Sequence, residues 1–237
     1  IVHERPDVIT LQIGSTGDSV MAGGDMALEK TDAARVGQLL SRHAHAVFSD
    51  IQIHARITAA AERARRPPGD ITLIAVSKTH PAAAVAAAFE AGLRDFGENR
   101  VQEAASKIGA LRAQSVTPRW HLVGHLQRNK VAVALDLFDI LHSVDSERLA
   151  EAISAQATRP VRILIEVNVS GEASKYGVAL DEVSGFAERT GGLPNIELIG
   201  LMTVAPQVDD PEDVRSVFRT LHRLRDAVGL RELSMGM

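Results

Sequence analysis

The chain has 237 residues, enough for one large α/β domain or two small ones around a buried core. A composition of 45% hydrophobic and 24% charged residues is that of an ordinary soluble globular protein, and a net charge of −4 argues against a nucleic-acid binder. No apolar run is long enough to span a bilayer, no signal peptide is present, and zero cysteines exclude disulfides and thiolate metal sites, so a cytoplasmic protein without membrane or nucleic-acid partners is expected.

In chain order, residues 1–30 show no amphipathic period and are expected to be a flexible leader outside the native domain, with Met21 and Met26 as candidate starts. The Gly-rich piece Ile13-Gly-Ser-Thr-Gly-Asp18 lacks the Gly-Lys-Ser/Thr ending of a phosphate loop and is assigned to that leader. From Thr31 to Arg66 the pattern is helical, and Pro67-Pro68-Gly69-Asp70 ends it. Strand 71–78 follows, then helix 81–91, which Gly92 terminates, and a short strand at 95–98. Helix 100–113, strand 119–124, helix 127–135, strand 140–144 and helix 146–157 continue the rhythm. The most apolar strand, 161–169, precedes helix 180–189, and strand 196–203 precedes a helix from Pro211 to Val228. Asp210 is placed to cap that last helix, with Pro211 in its first turn and Gly229 after its end. Strand 232–235 is the seventh and last.

Strict alternation of strand and helix implies parallel strands joined by right-handed crossovers. An open doubly wound sheet and a (β/α)8 barrel both satisfy this. The barrel is favoured because polar residues stand at many strand ends: Lys78, Asn99, His121, Ser143, Asn168, Thr203 and Ser234. The fold expected is therefore an α/β, (β/α)8 TIM barrel truncated after strand seven. It occupies residues 31–237 as a single domain incomplete at its C-terminal end, with open edges at its first and last strands.

Lys78 carries the most chemical information. Four of the six residues from Ile71 to Val76 are bulky aliphatics, so a buried strand delivers one amine to its C-terminal end. A desolvated amine is favoured in its neutral, nucleophilic form and can condense with an aldehyde. The plainer alternative is a lysine that leaves the sheet for water.

Several segments combine in an order and spacing that resemble one family. They are Ala75-Val-Ser-Lys-Thr79, Phe96-Gly-Glu-Asn-Arg-Val-Gln-Glu103, Trp120-His-Leu-Val-Gly-His-Leu-Gln-Arg-Asn-Lys130, His142-Ser-Val-Asp145, Glu166-Val-Asn-Val-Ser170 with Ser174-Lys-Tyr-Gly177, Gly200-Leu-Met-Thr203 and Leu233-Ser-Met-Gly-Met237. Across about residues 51–237 the chain is similar to the pyridoxal 5′-phosphate homeostasis proteins, single barrels of the alanine racemase N-terminal type. The resemblance implies that Lys78 holds pyridoxal 5′-phosphate (PLP) as a Schiff base. It also implies that the protein buffers and delivers this cofactor to PLP-dependent apo-enzymes, with no turnover of its own. The alternative is a PLP-dependent amino-acid racemase or decarboxylase of the same barrel class; a cofactor-free Schiff-base lyase ranks third.

Within that resemblance Asn99 is a candidate to hydrogen-bond the cofactor or Lys78, with a helix N-cap as the equal alternative. Ser234 is implied as a phosphate contact, and Met202 and Met235 as apolar walls around the ring. His121 and His125 straddle a strand end with no carboxylate near in sequence, so a zinc site is not expected and His121 should pack or hydrogen-bond inside the barrel. Glu166 in an apolar strand calls for a basic partner inside the barrel. Arg128, Asn129 and Lys130 form either an anion site or a solvated face, and Ser170, Glu172 and Lys175 belong to a surface loop over the mouth.

Overall fold

Short runs of four to nine residues, several of them rich in aliphatic side chains, become the strands of this protein, and the alanine-rich and amphipathic stretches between them become its helices. The computed structural model describes residues 7–11, 53–171, 176–206, 208 and 210–236. Strand β1 is Asp7–Leu11, and residues 53–63 are helical (α1). Then come β2 (Ile71–Val76), α2 (Ala82–Glu90), β3 (Asp95–Glu98), α3 (Val101–Arg112), β4 (Arg119–Leu122) and α4 (Val131–Leu137). The chain continues through β5 (Ile140–Val144), α5 (Glu147–Gln156), β6 (Val161–Glu166), α6 (Val183–Gly191), β7 (Ile196–Val204), α7 (Arg215–Ala227) and β8 (Glu232–Gly236). The strands are all parallel and close into a barrel in chain order.

The seven strands expected between Ile71 and Gly236 are present in the expected order. What differs is the pair of edges expected to stay open, at β2 and β8. Asp7–Leu11 lies between them, with Asp7 opposite Ile71, Leu11 opposite Ala75, and Val8 opposite Ser234. The leader expectation for residues 1–30 therefore fails over Asp7–Leu11. A five-residue strand carries no helical period, so a search for amphipathic helix passes over Val8-Ile-Thr-Leu11 although three of its residues are β-branched like much of the sheet. The Gly-rich piece 13–18, both candidate starts and the helical expectation over 31–52 lie outside the described residues.

Side chains alternate across each strand, and the two faces of the sheet meet different partners. On β6, Ile163 and Ile165 face outward into a cluster that also holds Phe96, Trp120, Leu141, Leu201 and Leu233 from the sheet and Ile108, Leu111, Leu149, Ile153, Phe186 and Leu221 from the helices. Leu164 faces inward and packs with Ile140, Ile199 and Met202 in a smaller interior cluster. Backbone approach is closest between β7 and β8, where a Cβ on Gly200 would lie 2.6 Å from the Glu232 carbonyl carbon; only glycine fits there. Ahead of α7, Asp210 caps as expected, its Oδ1 accepting the Glu212 N–H at 2.9 Å. The first turn, Pro211–Val214, is a 3-10 helix rather than α.

Candidate functional site

The apolar run of β2 ends at Val76, and the next four residues turn the chain toward Pro81, the N-cap of α2. Ser77 is buried, Lys78 half-buried and Thr79 exposed. This turn is held from below by a compact polar group. The Ser77 N–H donates to Gly97 O at 2.8 Å, and its hydroxyl donates to Glu98 Oε1 at 2.6 Å. Lys107, reaching back from α3, donates to the Ser77 carbonyl at 2.6 Å and to Glu98 Oε1 at 2.5 Å. Glu98 is fully buried, and its Oε1 is met there by the Lys107 amine and the Ser77 hydroxyl. Both sides of the Ser77 peptide are thus fixed, and with them the start of the Lys78 side chain. Thr79 takes a positive φ of 66°, a conformation that costs a β-branched residue about 1–2 kcal/mol and persists because the turn is over-determined.

Asn99 follows β3 directly and lies against the end of β4. A Cβ on Gly124 would stand 2.7 Å from the Asn99 Cα, so the glycine is what lets these two strand ends approach. The cap expectation for Asn99 fails: Arg100 is the N-cap of α3, and no side-chain bond closes that helix end. Instead the Asn99 Oδ1 is buried with no hydrogen-bond partner among the described residues. A buried acceptor in that state is costly unless a ligand N–H or O–H meets it.

The interior of the barrel is crossed by a chain of polar groups. Asp95 Oδ1 lies 3.0 Å from His121 Nε2, His121 Nδ1 lies 2.9 Å from His142 Nε2, and His142 Nδ1 lies 2.9 Å from Ser234 Oγ. These four residues stand on β3, β4, β5 and β8, and both imidazoles and the serine are almost completely shielded from solvent. Burial pulls His121 below the ordinary histidine value against the opposing effect of Asp95. Burial, with the charges of His121 and Arg162, holds His142 well below it. His121 thus hydrogen-bonds inside the barrel, as its sequence position predicts. Below the chain, Arg162 donates to Glu232 at 2.8 Å.

Met202 stands opposite Ser234 in the β7–β8 register and is buried in the interior cluster, which fits a position beneath a ligand held at Ser234. Met235 alternates to the outer face and packs against the helix layer, so it does not wall the interior as expected. Among the remaining polar residues assigned to strand ends, Ser143 donates to Gly124 O at 2.6 Å and Thr203 to Val167 O at 2.8 Å, which ties β5 and β7 to the neighbouring strand ends. Asn168 accepts the Gly171 N–H at 3.1 Å in a tight turn.

At the mouth, a cavity of about 260 Å³ is lined by Glu166, Asn168, Ser170, Tyr176 and Thr203, among others. The chain returns to this cavity because Val178 N–H donates to Glu166 O at 2.8 Å and Asn168 N–H to Val178 O at 3.0 Å. Tyr176 stacks on His125 with ring centroids 4.1 Å apart, and His125 is paired with Asp145 at 3.1 Å. Glu166 has no basic partner among the described residues, contrary to expectation. Burial and the neighbouring Asp145 raise its carboxyl to about 7, which favours the uncharged form where no basic partner is found among the described residues. Arg128, Asn129 and Lys130 form a short 3-10 turn whose first two residues are exposed, consistent with a solvated face. Glu172 and Lys175 lie outside the described residues.

The groups that fix the Ser77 turn and bond Ser234 were not evident from sequence. His142, Asp95 and Lys107 are separated in the chain from the groups they bond by up to 92 residues. One signal was available: His121, His142 and Ser234 each interrupt an aliphatic strand, and such residues on a barrel strand share the inward face.

A parallel barrel with a pinned lysine just beyond its first long strand and a buried polar interior defines a class, and the family described as alanine racemase, N-terminal domain, matches residues 49–236. The pyridoxal phosphate homeostasis protein of Aquifex aeolicus is 41% identical over 191 residues, covering 77% of this chain and 83% of that protein. A crystal structure of an unknown protein from Bifidobacterium adolescentis aligns with a TM-score of 0.72 at 31% identity, covering 83% of this chain and 94% of the other. PipY of Synechococcus elongatus, with PLP bound, aligns with a TM-score of 0.62 at 30% identity over 75% and 95% of the two chains. The chain belongs to the pyridoxal phosphate homeostasis protein family.

Proposed function

We propose that this protein binds PLP through Lys78 and serves intracellular PLP homeostasis by buffering the cofactor and delivering it to PLP-dependent apo-enzymes, without turning over a substrate. The observation that carries this reading is the fixed turn at Ser77, from which Lys78 extends at the end of a buried strand, with an unpartnered Asn99 acceptor at the end of the neighbouring strand. The cofactor supplies an aldehyde carbon, with which a neutral amine forms a C=N bond and releases water. The residues present fit such a ligand. Asn99 Oδ1 offers an acceptor to a ligand N–H or O–H, Ser234 offers a hydroxyl to the phosphate, and Met202 offers an apolar surface beneath the ring.

The non-catalytic part of the proposal is supported by the homeostasis role in the names of curated relatives. It predicts that the PLP-loaded protein exchanges no α-proton of added amino acids with solvent deuterium, whereas a racemase would. The attachment point is tested by borohydride reduction of the loaded protein followed by peptide mapping. Label on Lys78 supports the reading, and label on Lys107 or Lys130 in its place overturns it.

A further inference from the structure

We propose that Asp95, His121 and His142 are positioning residues that set the direction of the Ser234 hydroxyl, so that an anion bound at Ser234 brings about one proton into the barrel with it. The proposal rests on the reading of Ser234 as the phosphate contact and adds how that contact is controlled.

The direction of the chain follows from its lower end. An ionised carboxylate only accepts hydrogen bonds, so at 3.0 Å from Asp95 Oδ1 the His121 Nε2 must carry a proton and donate it. With His121 neutral, its Nδ1 is then an acceptor, and the His142 Nε2 that lies 2.9 Å away must donate. With His142 neutral, its own Nδ1 accepts in turn, and the Ser234 hydroxyl 2.9 Å away must donate to it. The single hydroxyl proton of Ser234 is therefore directed into the barrel, and lone pairs are what it presents to an arriving phosphate. That arrangement repels an anion.

One added proton reverses the two upper bonds and leaves the His121–Asp95 bond as it was. Ser234 passes its proton to His142 Nδ1 and receives one from solvent, which it can now direct to the anion. His142 passes the proton on its Nε2 to His121 Nδ1. His121 ends as an imidazolium that donates to both His142 and Asp95⁻, and no other atom changes its charge. The product is an Asp95–His121 ion pair at the base of the chain and a donating serine at its top.

Charged groups around the chain leave room for this step. Arg119 on β4 stands 3.2 Å from Asp95 Oδ1, and Asp139, just before β5, accepts the Trp120 N–H at 2.8 Å. Arg162 on β6 faces His142 but is paired with Glu232 on β8. The inward residues of β7 beside them, Ile199 and Met202, are apolar. The two guanidinium groups oppose an imidazolium, and the three carboxylates favour it.

The test compares PLP with pyridoxal, which carries the same aldehyde and no phosphate. Titration calorimetry is run in buffers of different ionisation enthalpy near about pH 8, where a phosphate monoester is almost wholly dianionic. Chemistry at Lys78 is common to both ligands, so the difference in proton uptake reports the phosphate alone. The wild type should take up about one more proton with PLP than with pyridoxal. In Asp95→Asn the amide N–H can donate to His121 Nε2, the chain can run either way with neutral rings, and the difference should vanish. His142→Asn, which offers Ser234 an amide donor directly, should abolish it as well and serves if the first variant folds poorly. Equal uptake of both ligands by the wild type would overturn the proposal, as would a difference that survives in the variants. Failure of borohydride to fix PLP on Lys78 would instead sink the underlying reading; a Lys78 adduct without differential uptake sinks the proton-linked chain alone.

Discussion

The same eight strands carry two opposite surfaces. Outward, Phe96, Trp120, Leu141, Ile163, Ile165, Leu201 and Leu233 pack against the helices in one continuous apolar layer. Inward, the alternating positions hold Asp95, His121, His142, Arg162, Glu166, Glu232 and Ser234 beside apolar residues such as Ile74, Val76, Leu164 and Met202. Apolar burial at the outer surface stabilises the fold at about 25 cal/mol per Å². The inner surface contributes less of that kind, since each buried polar group must recover its lost hydration through a partner. An interior built this way makes sense as a place prepared for a polar ligand, with the outer layer supplying the stability that permits it.

Substitutions on the two faces should therefore behave differently. The largest effect is expected outside: Ile163→Ala removes a fully buried side chain and should cost about 2–5 kcal/mol in denaturant unfolding, while the folded fraction still forms the PLP adduct. An equal loss of adduct among folded molecules would break the separation of the two faces.

The interior should reveal itself through pH. The Glu166 carboxyl is raised from 4.5 to about 7 in the folded protein, so between those values the native state binds more protons than the unfolded chain. Its contribution is fully present below about pH 4.5 and is lost as pH rises to about 7, by at most about 3 kcal/mol. His121 and His142 are lowered, so they act the other way: stability is present above the ordinary histidine value and falls as pH drops below it. Glu166→Gln should remove the first slope and leave the second, which unfolding curves from pH 4 to 8 would resolve (a range of roughly four units spans both transitions). An unchanged profile would show that Glu166 is ionised in the folded protein.

The smallest effect is expected at the solvent-facing pair of Arg189 and Glu147, 2.6 Å apart and about half exposed on both sides. Glu147→Gln should change stability by no more than about 1 kcal/mol, less at high salt. A larger change would mean that the helix layer depends on charge as well as on apolar packing.

How far the sequence revealed this architecture follows the same division. Outer-face residues recur with the period of their element, so β3 and β5 have the bounds expected, 95–98 and 140–144, and β7 runs one residue longer than expected. Terminal turns were less legible: β2 ends at Val76 rather than 78, and the helix expected from Pro211 begins as a 3-10 turn. β1 was missed because five residues are too few to show a period and because its partners, Ile71 and Ser234, are remote in the chain. At the site, Lys78 stood out on local grounds, as an amine at the end of an aliphatic run. The Asp95–His121–His142–Ser234 chain did not, since hydrogen bonds spanning 21 to 92 residues leave no local pattern. Glu166 was recognised as costly to bury, but whether an arginine or a proton neutralises it depends on which inward residues share its level of the barrel.

The central claim is that Lys78 serves the ligand and not the fold, and ligand-linked stability tests it most directly. Thermal unfolding of the wild type and Lys78→Ala should coincide without PLP to within about 0.5 kcal/mol, as for a substitution outside the packed core. With PLP in excess the wild type should melt higher, because a ligand bound only to the native state stabilises it by mass action, and the variant should lose most of that rise. An equal PLP-induced rise in Lys78→Ala would contradict the account.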